Sequence, residues 1–158
     1  PFSFRTRFPM DALLATVHHF LAFGLVAIIA NEAAMLRSRL DRERLLRLAA
    51  IDRGYGMVAG ALLLVGIARL GIGAKGWAFY SGNPAFWLKM VAFIAIGLLS
   101  IAPTVSLIRW TRPLKKDPSA PLPAPNELAA TLRWVSWQLR VLPLVLIGAA
   151  LMARGIGN

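Results

Sequence analysis

RLGIGAKGWAFYSGNPAFWLK, residues 69–89, is the stretch on which the reading of this chain turns. It is rich in glycine and packs Trp77, Phe79, Tyr80, Phe86 and Trp87 into a short span between two long apolar segments. Aromatic rings with an apolar body and a polar edge collect at the headgroup level of a bilayer. The stretch therefore predicts a loop at a membrane–water interface. Arg69 and Lys89 lie inside the apolar segments that flank it.

Working outward, four segments are long enough to cross a bilayer, which takes about 20 mostly apolar residues. They cover residues 11–36, 55–72, 84–108 and 134–153. No strand-like alternation competes with them. The expected fold class is all-α, an integral membrane four-helix bundle. A single domain over residues 11–158 follows a short N-terminal extension, residues 1–10. The basic stretch ahead of Met10 is not a signal peptide on this reading, because the apolar run after it is too long and lacks a clear cleavage site.

Composition agrees. Hydrophobic residues make up 58% of the 158 and charged residues 16%, against roughly 45–50% and about 25% in soluble domains. Mean hydropathy is +0.62. A net charge of +11 raises the question of nucleic acid, but the basic residues sit between hydrophobic blocks and not on a polar surface, so no nucleic-acid partner is expected. The chain has no cysteine. Disulfides, thiolate metal sites, iron–sulfur clusters and covalently attached haem are therefore excluded.

The linkers set the orientation. Residues 37–53 carry Arg37, Arg39, Arg42, Arg44, Arg47 and Arg53, and residues 109–133 carry Arg109, Arg112, Lys115, Lys116 and Arg133. In a four-helix chain both linkers fall on one side, and an excess of Lys and Arg marks the cytoplasmic side. The expected location is a bacterial inner membrane with both termini periplasmic. The expected partners are the lipid bilayer and either a homo-oligomer or a larger membrane complex. Residues 118–125 hold four prolines and should be extended, with Asn126 as the N-cap of the next helix. Gly56-x-x-x-Gly60 and Ala149-x-x-x-Ala153 should allow close helix approach, and Pro103 and Pro143 should kink their helices.

Ionisable residues inside hydrocarbon are costly and tend to mark sites. Here they are His18, His19, Arg69, Lys89 and Arg140, with Glu32 near one helix end. His18 lies about 10 Å along its helix from Asp11, and Lys89 about 7 Å inside residue 84, at ~1.5 Å per residue. Arg69 is near the matching end of its own helix. The four residues His18, His19, Arg69 and Lys89 thus share a depth, and they form the candidate cofactor-binding set. Helical periodicity puts Asp11, Ala15, His18, Ala22, Leu25 and Glu32 on one face, expected to look into the bundle, with His19 turned to a neighbouring helix. His18 is the candidate metal ligand or proton-transfer group. Arg69 and Lys89 are candidates to hold the carboxylates of an amphiphile such as haem or a porphyrin, or alternatively to snorkel to headgroups. Arg140 is expected to meet phospholipid or to pair with Glu32. No phosphate-binding loop, nucleophile triad or dinucleotide fingerprint is present.

Several motifs carry a resemblance: Met10-Asp-Ala-Leu-Leu-Ala with His18-His19, Ile51-Asp52-x-x-Tyr55-Gly56, Gly66-x-x-Arg69, Lys75-Gly76-x-x-Phe79-Tyr80-x-x-Asn83-Pro84-x-Phe86-Trp87-x-Lys89, and Gly97-Leu-Leu-Ser100-x-x-Pro103-Thr104. Over residues 10–110 the chain resembles a family of small bacterial four-helix membrane proteins of unknown function. It is more distantly similar to HemJ-type protoporphyrinogen oxidases, and more weakly to copper-resistance D proteins. The oxidases share a histidine in helix one and a lysine early in helix three, here His18 or His19 and Lys89; Asn31-Glu32 stands where they carry Pro-Arg. That likeness implies haem b at the histidine and redox chemistry near the outer face. The competing expectation is a non-enzymatic accessory subunit of a membrane complex.

Overall fold

The computed structural model describes residues 4–72 and 76–155. It contains four long helices and one short one, with no strand among the described residues: α1 (Phe4–Arg37), α2 (Arg42–Ile72), α3 (Gly76–Ser81), α4 (Pro84–Lys116) and α5 (Pro125–Ala153). Each long helix contains an apolar stretch sufficient to cross a membrane. The protein is an all-α four-helix membrane bundle.

The helices run further than hydropathy alone indicates. α1 begins at Phe4, within the stretch expected to be an extension, α2 begins at Arg42 instead of residue 55, and α4 continues to Lys116. The extra turns at the linker end are amphipathic. In α2, Leu45 and Leu48 are fully buried while Arg44 and Arg47 face outward. A hydropathy window is blind to such turns because it averages over both faces. α5 begins at Pro125 with Ala124 as its N-cap, so Asn126 is not the cap. Glu127 closes this end, its Oε2 accepting from the Ala124 amide at 3.1 Å, while its Oε1 accepts from Arg109 of α4 at 2.7 Å. The turn before it is set by Asp117, whose Oδ1 accepts from the Ser119 amide and hydroxyl. Those two bonds hold its carboxyl below the usual range.

The aromatic stretch is not a plain loop. Residues 76–81 form α3, and Asn83 caps α4, its Oδ1 accepting from the Ala85 amide at 2.8 Å with Pro84 in the first helical position. Trp87 Nε1 donates back to the Ser81 carbonyl at 2.9 Å. The corner is thereby folded onto the head of α4, and Phe86 packs edge-on against both Trp77 and Trp87. Residues 73–75, which include Lys75, lie outside the described residues.

Each long helix contacts two others, giving the closed order α1–α2–α4–α5. α4 and α5 make the most intimate pair, and the seam between α2 and α4 is the sparsest. Gly148 explains the first: a β-carbon there would stand 2.9 Å from the Ala85 carbonyl oxygen and 3.0 Å from Lys89 Cβ. The expected glycine pair does not do this. Nothing lies within 4 Å of a β-carbon placed at Gly56 or Gly60, and Ala149 and Ala153 are exposed. α4 and α5 run unbroken through Pro103 and Pro143.

The packed core sits toward the basic-linker end. Ile29, Leu45, Leu48, Leu107, Leu114 and Val135 are sealed there. At the opposite end the inward positions are small or polar: Ala15, His18, Ala22 and Gly66. In lipid, helix association rests on close packing and polar contacts and not on exclusion of water. Small inward residues therefore leave space unfilled. Phe20, Phe23 and Leu64 are strongly exposed around this end, as a lipid-facing surface allows.

Candidate functional site

The hollow end contains two adjoining cavities. The outer, about 290 Å³, is lined from all five helices: Asp11, His18 and His19 of α1, Arg69 of α2, Tyr80 of α3, Lys89 of α4 and Met152 of α5. The inner, about 110 Å³, is apolar and lies mainly between α2 and α4, lined by Leu62, Ile67, Phe86, Met90, Phe93 and Val145 and bordered by the exposed Leu63. His18, Gly66, Leu70 and Lys89 border both. All four candidate residues from the sequence thus meet at one cavity.

Their environments differ. His18 is partly buried on the inward face of α1, in line with Leu25 and Glu32. Its imidazole lies over Gly66, where a β-carbon would stand 3.5 Å from Cε1. His18 Nδ1 is buried and has no hydrogen-bond partner among the described residues. His19 does not turn to a neighbouring helix. It is exposed, and its Nδ1 lies 2.6 Å from the Ala15 carbonyl of its own helix. A 100° step per residue sends the second of two adjacent residues out of the face that holds the first. His19 therefore touches the cavity only at its rim.

Arg69 Nε is likewise buried without a partner among the described residues. Lys89 is half-buried with its Nζ 5.4 Å from the centre of the Phe86 ring. Arg69 and Lys89 are close enough to act on one another and on His18, yet neither forms a salt bridge among the described residues. Two cations crowded beside an imidazole in low dielectric repel, and an anion between them relieves that repulsion. Asp11 lines the same cavity from about two turns inside α1.

Among the described residues, no three of His, Cys, Asp and Glu gather to hold a metal ion. A metal at His18 would therefore have to bring most of its ligands with it, as an iron porphyrin does. The orphaned Nδ1 and the two cations are the donor types such a group would meet, imidazole for iron and cations for propionates, while the inner chamber, about 110 Å³, is smaller than the roughly 300–1,000 Å³ of ligand pockets.

A second polar layer lies nearer the basic end. Glu32 and Asp52 are 3% and 5% exposed and close enough to repel. Asp52 Oδ1 accepts from Thr104 of α4 at 2.8 Å. Glu32 Oε1 has no hydrogen-bond partner among the described residues, and Arg140 does not supply one. Arg140 is exposed and sits over the Trp137 ring at 4.8 Å. The sequence reading placed Glu32 on the inward face but overlooked Asp52, which hydropathy assigned to a charged linker. The signal that could have found it is Leu45-x-x-Leu48-x-x-x-Asp52-x-x-Tyr55, an i, i+3, i+4 run continuing the buried face of α2.

The chain belongs to the family described as predicted membrane protein (DUF2214), whose sequence model matches residues 10–157. No curated protein matches the chain, and no solved structure does.

Proposed function

Taking the chain as a member of that membrane-protein family, we propose that its hollow end binds an anionic amphiphile, and that a haem or porphyrin is the ligand this chemistry suits best. The observation that carries the reading is the convergence of His18 Nδ1 and Arg69 Nε, both buried and unpartnered, with Lys89 on one cavity. Buried polar groups without partners are uncommon and call for an explanation. A dicarboxylate explains both cations, and iron or a transferable proton explains the imidazole. Bound haem would supply one-electron chemistry. The chain's own residues would hold it: His18 on the iron, Arg69 and Lys89 on the propionates, Phe86 and Phe93 against the ring. The excess of Lys and Arg at the opposite end supports a bacterial inner-membrane orientation with this cavity on the periplasmic side.

The test is an absorption spectrum of the detergent-purified protein after haem supplementation. A Soret band that disappears in His18→Ala and weakens in Lys89→Met is the expected result. A colourless wild-type protein would overturn the reading, leaving an accessory subunit of a membrane complex as the better account.

A further inference from the structure

The glycines that fail to pack helices together open a groove instead. Gly56 and Gly60 of α2 face Gly97 of α4 across the sparse seam, and no atom comes within 4 Å of a β-carbon at any of the three. Together with Ala59 and Phe93 they line a cavity of about 260 Å³. At Gly56 it runs into a larger cavity, about 470 Å³, at the basic end of the same seam. Leu107 and Ile108 floor the larger cavity, and Arg53, Arg112, Lys115 and Lys116 ring it.

The cations suit a single anionic head. Arg112, Lys115 and Lys116 are spaced i, i+3 and i+4, so they share one face of α4. None of the four cations forms an ion pair among the described residues. The carboxylate on this wall, Asp52, is engaged by Thr104, which lies about 16 Å along α4 from Lys115 at ~1.5 Å per residue. A phosphate at the Lys115 end is therefore clear of it. The apolar part continues inward from there, as an acyl chain does from its headgroup. Basic pockets between membrane helices are known to take anionic lipid headgroups.

We propose that the α2–α4 groove is a binding site for one anionic phospholipid of the leaflet at the basic end. Its phosphate meets Arg112, Lys115 and Lys116, and one acyl chain lies over Gly56, Gly60 and Gly97. A second copy of this chain is the competing occupant of a glycine groove. Charge argues against it, because a symmetric contact would bring the same unpaired cations together.

The test uses the full chain purified in a zwitterionic detergent, with phosphatidylglycerol and phosphatidylcholine as probes and inorganic phosphate as control. Retained lipid is quantified by mass spectrometry, and thermal unfolding is followed as each probe is added. Wild-type protein should retain phosphatidylglycerol and be stabilised by it, with little response to phosphatidylcholine or inorganic phosphate. Replacing Arg112, Lys115 and Lys116 together by Gln should weaken phosphatidylglycerol binding by roughly 100-fold. Gly56→Leu with Gly60→Leu fills the groove and leaves every cation in place, and it should also abolish retention. Gly97→Leu does the same from α4, in case the double variant does not fold. Undiminished retention in the folded leucine variants would reduce the site to surface attraction and overturn the proposal. So would equal binding of the two lipids, a response to inorganic phosphate alone, or a wild-type dimer that the leucine variants convert to monomer. None of these outcomes depends on haem at His18.

Discussion

His18 and Gly66 are matched across the α1–α2 interface: the imidazole lies where a side chain at residue 66 would point, 3.5 Å from a β-carbon built there. Gly66 thus determines how His18 is seated at the wall shared by the two cavities. An alanine would sit in ordinary contact and should be tolerated. Gly66→Leu should push the ring aside and lower haem affinity by about 10- to 100-fold, the range for losing a ligand's orienting partner. Haem titration of the two variants checks this, and equal affinities would detach His18 from the site.

Gly148 should be far less forgiving. A β-carbon there would meet the Ala85 carbonyl at 2.9 Å, and backbone cannot swing away as a side-chain tip can. Gly148→Ala should cost roughly 1–3 kcal/mol, as overpacking usually does. Gly97→Ala should be near neutral, since nothing lies within 4 Å of its added carbon. Reversible unfolding of the two variants in mixed micelles gives the comparison.

Thr104 and Asp52 form a hydrogen bond from α4 to α2 across the sparsest seam. Thr104→Val keeps the shape and removes the donor, leaving the buried Asp52 carboxylate short of a partner. A double-mutant cycle with Asp52→Leu, which removes the acceptor, should return a coupling of about 0.5–2 kcal/mol, the range found for polar contacts between membrane helices. A coupling near zero would mean the groove is not pinned at this level.

Topology follows from charge. Eleven basic residues lie in the two linkers, residues 37–53 and 109–133, against Arg5, Arg7, Lys75 and Arg154 at the other side. Reporter fusions after Lys116 should be active in the cytoplasm, and fusions after Arg154 in the periplasm. Periplasmic activity at Lys116 would invert the protein and place the His18 cavity on the cytoplasmic face.

The sequence by itself determined the class of the protein. Apolar length alone identifies four helices that can span a bilayer, and the 3.6-residue period identifies the inward face of α1, because both properties are local to one helix. The shared depth of His18, Arg69 and Lys89 was legible for the same reason. Tertiary structure alone decided which neighbours meet. It showed that Gly148 and not Gly56 carries the close approach, that His19 reaches only the rim, and that Arg140 turns to Trp137 instead of Glu32. It also brought Asp52 into the interior, because α2 extends a polar-sided turn beyond any apolar window. The physical reason is that a helix's own period fixes where its side chains point relative to each other. The rotation and depth of one helix against the next depend on packing between sequence-distant surfaces, and no single stretch records that.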